Sequence, residues 1–107
     1  MTTISEQSDC VTLINVFTVA PEQQKRLIEM LDRGTETVMR RQPGFVSANI
    51  HASMDGRKVA NYAQWRSKAD FEAMQKNPEA TAHMKEIGAM VEKFEPALYE
   101  VKSVFEN

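Results

Sequence analysis

The stretch Phe45-Val-Ser-Ala-Asn-Ile-His-Ala-Ser-Met-Asp-Gly-Arg-Lys-Val-Ala-Asn-Tyr-Ala-Gln-Trp-Arg-Ser-Lys-Ala-Asp70 decides the fold. Phe45 to Ser53 and Lys58 to Arg66 are two extended segments, and the Asp55-Gly56 pair between them suits the positive φ values of a tight hairpin turn. They are therefore expected to pair antiparallel. Ser67-Lys-Ala-Asp70 then has the spacing of a capping box, with a hydroxyl and a carboxylate placed to satisfy the first free amides of a helix.

Outward from this hairpin, Cys10 to Val19 is rich in β-branched residues and reads as a first strand. Pro21-Glu22 suits a helix start, and Leu27, Ile28, Leu31, Val38 and Met39 recur at helical spacing until Arg40 and Arg41 meet Pro43-Gly44. Gly34, Thr35 and Thr37 weaken the middle of that helix, but the start and stop signals agree on one helix. Downstream, the helix from Ser67 is interrupted near Asn77-Pro78 and resumes with Ala80, Met84, Ile87 and Val91 as its apolar stripe. Glu95-Pro96 is expected to end it, and Leu98 to Phe105 to form a fourth strand. The order βαββαβ fits an α+β ferredoxin-like sandwich, with residues 1–9 as a tail and residues 10–107 as one domain.

Such a sheet carries both helices on one face. Strand one puts Leu13, Asn15 and Phe17 on one side and Ile14 and Val16 on the other, and strand four offers Leu98 and Val104 against Tyr99, Val101 and Phe105. Both faces are apolar, so a homodimer through the uncovered sheet face is expected.

Composition narrows the function. A chain of 107 residues, 42% apolar and 26% charged, is one ordinary globular domain. It has no apolar run of the roughly eighteen residues that cross a bilayer, and Met1 to Asp9 lacks the features of a signal peptide, so the cytoplasm is the expected address. A net charge of -2 argues against nucleic acid and anionic membranes as partners. Cys10 stands alone and is expected to be a small buried residue rather than half of a disulfide. The four glycines, at 34, 44, 56 and 88, write neither a dinucleotide fingerprint nor a phosphate loop. His51 and His83 with one cysteine do not compose a metal site, and none is expected.

The informative polar pattern is on strand three, where Asn61, Ala63 and Trp65 share a side with Val59. Two readings are open. The amide and the indole N–H satisfy each other within the core, or they point together into a cavity and hold a carbonyl, phenolate or bound oxygen.

The segments Pro43-Gly44-Phe45, His51-Ala-Ser53, Asp55-Gly56 and Asn61-Tyr-Ala-Gln-Trp65 resemble the antibiotic biosynthesis monooxygenase family, especially its anthrone-oxidising members in aromatic polyketide pathways. Weaker similarity runs from about Val11 to Phe105. The resemblance implies a dimeric α+β barrel that oxygenates a small phenolic, anthrone-like or quinol substrate with O2 and no cofactor. It carries the catalytic task to Asn61 and Trp65, and substrate contact to His51, Phe71, Met74, His83, Lys85 and Asn15. Phe71 stands where those enzymes have a tyrosine, and Lys85 where they have an arginine, which removes a proton donor and a bidentate fork.

Two alternatives use the same fold. Haem-degrading relatives hold iron with a histidine in the second helical region and use an asparagine on strand one, positions near His83 and Asn15; their tryptophan position falls at Met74. A non-catalytic dimer that binds a small hydrophobic ligand, or serves in stress response, is the other. His83 lies roughly 70° from the centre of the Ala80, Met84, Ile87, Val91 stripe, at the edge of the buried face, where a solvated histidine is the plain reading. Met74, Met84 and Met90 suit either a pocket for flat rings or an adaptable core.

Overall fold

A computed structural model describes residues 1–107. Strands β1 (Val11–Thr18), β2 (Phe45–Ala52), β3 (Lys58–Trp65) and β4 (Lys93–Tyr99) form one sheet in the order β2-β3-β1-β4, every neighbouring pair antiparallel. Helices α1 (Gln24–Thr37), α2 (Lys68–Gln75) and α3 (Pro78–Met90) lie on one face. This is the ferredoxin-like α+β sandwich expected from the element order.

The central hairpin forms as its sequence dictates. Gly56 takes φ 80° in the turn, and the Asp55 carboxylate accepts from the Ser53 hydroxyl and the Arg57 N–H. Those bonds, Ser53's first, hold the Asp55 carboxyl below its ordinary range. At the far end of β3 the Ser67 hydroxyl accepts from the Asp70 N–H and caps α2. The reciprocal half of the box is not made: the Asp70 carboxylate instead accepts a hydrogen bond from the Ser67 hydroxyl and a two-pronged bond from the Arg66 guanidinium.

Three boundaries differ from the sequence reading, the third being the end of the last strand, which stops at Tyr99, so that Val101, Val104 and Phe105 lie beyond the sheet. The first helical region is α1 flanked by short 3-10 turns at Pro21–Gln23 and Met39–Arg41, with the break at Val38 (φ -122°, ψ -60°). The fourth strand begins at Lys93, not Leu98, and contains Pro96. Val91 is already extended, and the Glu92 N–H donates to the Thr18 carbonyl, so the chain joins the sheet directly after α3. Pro96 is tolerated because β4 is an edge strand: a residue without an N–H fits where only one side of the strand needs a ladder. Cys10 is half-buried rather than buried, just before β1.

The buried side chains gather in two clusters. Phe17, Val19, Leu27, Leu31, Val59 and Ile87 close one end of the sandwich; Trp65, Phe71, Met74 and Ala80 close the other. Leu27, Val59 and Ile87 are fully buried, each contributing about 1.5–3 kcal/mol. A cavity lies between the clusters, lined by members of both. On the outer face, Ile14, Val16, Ala60 and Tyr62 are half-buried. The N-terminal tail touches that face: the Thr2 hydroxyl donates to the Asn49 side chain and the Gln64 amide to the Thr3 carbonyl. No helix is long and apolar enough to cross a membrane.

Candidate active site

Strand alternation brings the site together. On the helix-facing side β3 presents Val59, Asn61, Ala63 and Trp65, and β1 sets Phe17, Asn15, Leu13 and Val11 directly opposite them, so Asn15 and Asn61 are register partners in mid-sheet. A buried amide or indole without a hydrogen bond is costly. Yet Asn15 Oδ1, Asn61 Oδ1 and Trp65 Nε1 are all buried and all unpartnered. The reading in which Asn61 and Trp65 satisfy each other is thereby excluded.

The three residues that carry these atoms line a cavity of about 270 Å³ whose other walls are mainly apolar, among them Leu13, Phe71, Met74, Met84 and Phe94. Its size is at the small end for an organic ligand. Trp65, only 2% exposed, is gripped edge-on by Phe45 at 5.6 Å and Phe71 at 6.1 Å between ring centroids. That clamp fixes the direction of its N–H, and orientation fixed in advance is what a hydrogen-bond donor needs if it is to stabilise developing charge.

His83 enters the cavity from α3. Its ring occupies a notch in α1 at Gly34, where a Cβ would stand 2.0 Å from Cε1, 2.2 Å from Nε2 and 2.4 Å from Nδ1. Burial pushes the His83 pKa below the ordinary histidine value, and the neighbouring Glu86 carboxylate opposes that only in part. The imidazole is therefore neutral at pH 7.

Of the residues singled out from sequence, Asn15, Asn61, Trp65, Phe71, Met74 and His83 all line this cavity. His51 does not: it sits exposed on the outer face with Nδ1 3.1 Å from the Asn49 carbonyl, because its parity on β2 is opposite to that of the lining residues Phe45 and Ala48 once the bulge between Phe45 and Ser47 is counted. Lys85 is exposed and outside the lining as well, one residue past Met84 on the helix surface. His83 is half-buried against Gly34 rather than solvated. Sequence reasoning passed over Gly34, Met39, Phe45 and Ala48. A glycine in mid-helix was visible as an anomaly, but its purpose depends on a residue 49 positions away.

Fold and site together define a single-sheet α+β sandwich built around a partly open, largely apolar pocket. Residues 10–86 match the family model for antibiotic biosynthesis monooxygenase. The chain is 54% identical over 83 residues to the tetracenomycin-F1 monooxygenase of Streptomyces glaucescens, which covers 78% of this chain and 74% of that protein. An anthrone oxidase-like protein of known crystal structure superposes with a TM-score of 0.85 at 27% identity, over 92% of this chain and 42% of that one. SnoaB of Streptomyces nogalater, described as a cofactor-independent oxygenase, shares the fold with a TM-score of 0.76 at 24% identity, over 94% of this chain and all of that one. The chain belongs to the antibiotic biosynthesis monooxygenase family, and its class of chemistry is that of a monooxygenase.

Proposed function

We propose that this monooxygenase oxidises an anthrone-like or related phenolic substrate with O2 and without a resident cofactor, and that Asn61 and Trp65 stabilise the oxygen that gains negative charge. The observation that carries this reading is that three residues lining one largely apolar cavity, Asn15, Asn61 and Trp65, each keep a buried polar atom without a partner. A folded protein retains such orphans where a ligand satisfies them.

The chemistry asks for little else. An anthrone that loses a ring methylene proton becomes an electron-rich anion able to pass one electron to O2 directly. The radical pair combines to form a C–O bond, and loss of water leaves a quinone carbonyl, so one oxygen atom is retained and the other departs as water. Donors aimed at the anionic oxygen in a dry site lower the barrier to the first steps. Trp65 supplies a fixed N–H, and the Asn15 and Asn61 amides each offer an acceptor and, turned about their last torsion, a donor pair. Phe71, Met74 and Met84 give flat, adaptable walls that suit fused rings. The relative that is 54% identical acts on tetracenomycin F1, which supports a polyketide ring system. The 54% identical relative is a monooxygenase and the similarly folded SnoaB is described as a cofactor-independent oxygenase, which favours the oxygenase reading over the haem-binding one. A cytoplasmic site of action, with Cys10 reduced, and a homodimer through Ile14, Val16, Ala60 and Tyr62 complete the proposal; sedimentation equilibrium tests the dimer.

Oxygen uptake with a panel of anthrones and quinols in chelator-treated buffer tests the activity. Asn61→Ala and Trp65→Phe are each expected to lower kcat/KM by about 10²–10³-fold, the usual effect of losing one preorganised donor. Unchanged turnover in both variants refutes the assignment.

A further inference from the structure

We propose that His83 is the base that takes the substrate's proton, and that Gly34 is a positioning residue whose bare backbone admits the imidazole to the cavity. The inference deepens the oxidation proposed above and rests on it.

The first step of that reaction breaks a C–H bond and needs a proton acceptor. Among the cavity's lining residues His83 is the one titratable side chain; the others are apolar or are amides, hydroxyls and an indole, none of which takes up a proton near neutral pH. Its access is built into the neighbouring helix. Any side chain at position 34 would fill the volume the ring occupies, and a glycine in a helix interior is otherwise unfavourable. Burial keeps the ring neutral, the form in which it accepts a proton. No other charged side chain lines the cavity: α1 meets the ring at Gly34, the strands contribute Asn15 and Asn61, β4 contributes Phe94 and Pro96, and the Glu86 carboxylate on its own helix lies outside the lining and acts on the ring. Glu86 favours the imidazolium once it forms.

The proton passes from the ring methylene to an imidazole nitrogen, and the electron pair left behind delocalises onto the substrate oxygen. After one electron moves to O2 and the radicals combine, the imidazolium returns its proton to the peroxide oxygen. The neutral ring then removes the second methylene proton as the O–O bond breaks, and the departing hydroxide takes that proton and leaves as water. The base is regenerated and the atoms balance.

The test is the pH dependence of kcat/KM with a reactive anthrone, for the wild type, His83→Gln and Gly34→Ala. The wild-type rate is expected to rise through an ionisation below the ordinary histidine value of about 6.5 and then level off. In His83→Gln the rate should fall by about 10²–10⁴-fold, with little change in KM, and the limb should vanish, leaving a rate that climbs with pH as the substrate ionises unaided. Gly34→Ala should lower kcat in the same way. Trp65 is the only tryptophan, so quenching of its fluorescence by an anthraquinone shows in each variant that the cavity still forms and binds. Wild-type turnover and an unaltered profile in His83→Gln overturn the assignment of the base while leaving the oxygenase standing. If the variants do not fold, a wild-type profile with no ionisation below about 7 overturns it equally. No turnover of any anthrone or quinol by the wild type refutes the proposed function, and the base with it.

Discussion

Substituting Gly34 by alanine sets two effects of known size against each other. In an exposed helix interior the change is worth about 0.8–1 kcal/mol of added stability. Here the new methyl would stand 2.0–2.4 Å from three atoms of the His83 ring, and forcing volume into a packed site costs about 1–3 kcal/mol. The steric effect wins or nearly cancels, so Gly34→Ala alone should destabilise by about 0–2 kcal/mol. With the ring removed by His83→Ala the clash is gone, and the same substitution should then stabilise by about 0.8–1 kcal/mol. The coupling between the two positions is accordingly about 1–3 kcal/mol, well outside the few tenths expected of independent sites. Urea unfolding of the wild type, both single variants and the double variant measures it. At about 4–8 °C per kcal/mol for a domain of this size, thermal melts would also resolve it. Additivity within about 0.5 kcal/mol would show that the ring does not occupy the notch, and the reasoning that joins Gly34 to the site would fail.

Asn61→Leu removes an unpartnered buried amide, so it should raise stability by about 1–2 kcal/mol while lowering kcat/KM by at least about 10²-fold; a less stable variant would mean that the amide has a partner. Gly44→Ala should destabilise by about 2–4 kcal/mol, since φ is 84° and the new Cβ would lie 2.4 Å from Asp70 Cβ; chemical denaturation measures it. His83 is harder to protonate in the fold than in the unfolded chain, so its contribution is complete above pH about 6.5 and is lost as pH falls through the lower folded value. His83→Gln should flatten melting temperature against pH in that window. Asp70, held down first by the Arg66 guanidinium and then by the Ser67 hydroxyl, contributes stability that is present above about pH 3.9 and lost as pH falls further; Asp70→Asn should remove that acid-side loss.

Local chemistry made most of the fold legible. Asp55-Gly56, the Ser67 cap and the Asn77-Pro78 interruption act through bonds made within a few residues, and each stands where the sequence puts it. Pro96 misled for the same reason: its local preference is to end structure, but an edge position in the sheet overrides it.

The parity of β3 alone placed Val59, Asn61, Ala63 and Trp65 on one face, because side chains on a strand alternate whatever surrounds them. Whether that face met packed atoms or empty space was decided by how the side chains of the helices fill the space above it, which depends on many residues at once. Gly34 shows the limit most clearly. Read along the chain it is a weak point in a helix; read in space it is the gap that lets His83 into the cavity, because the contact joins residues that no local rule relates.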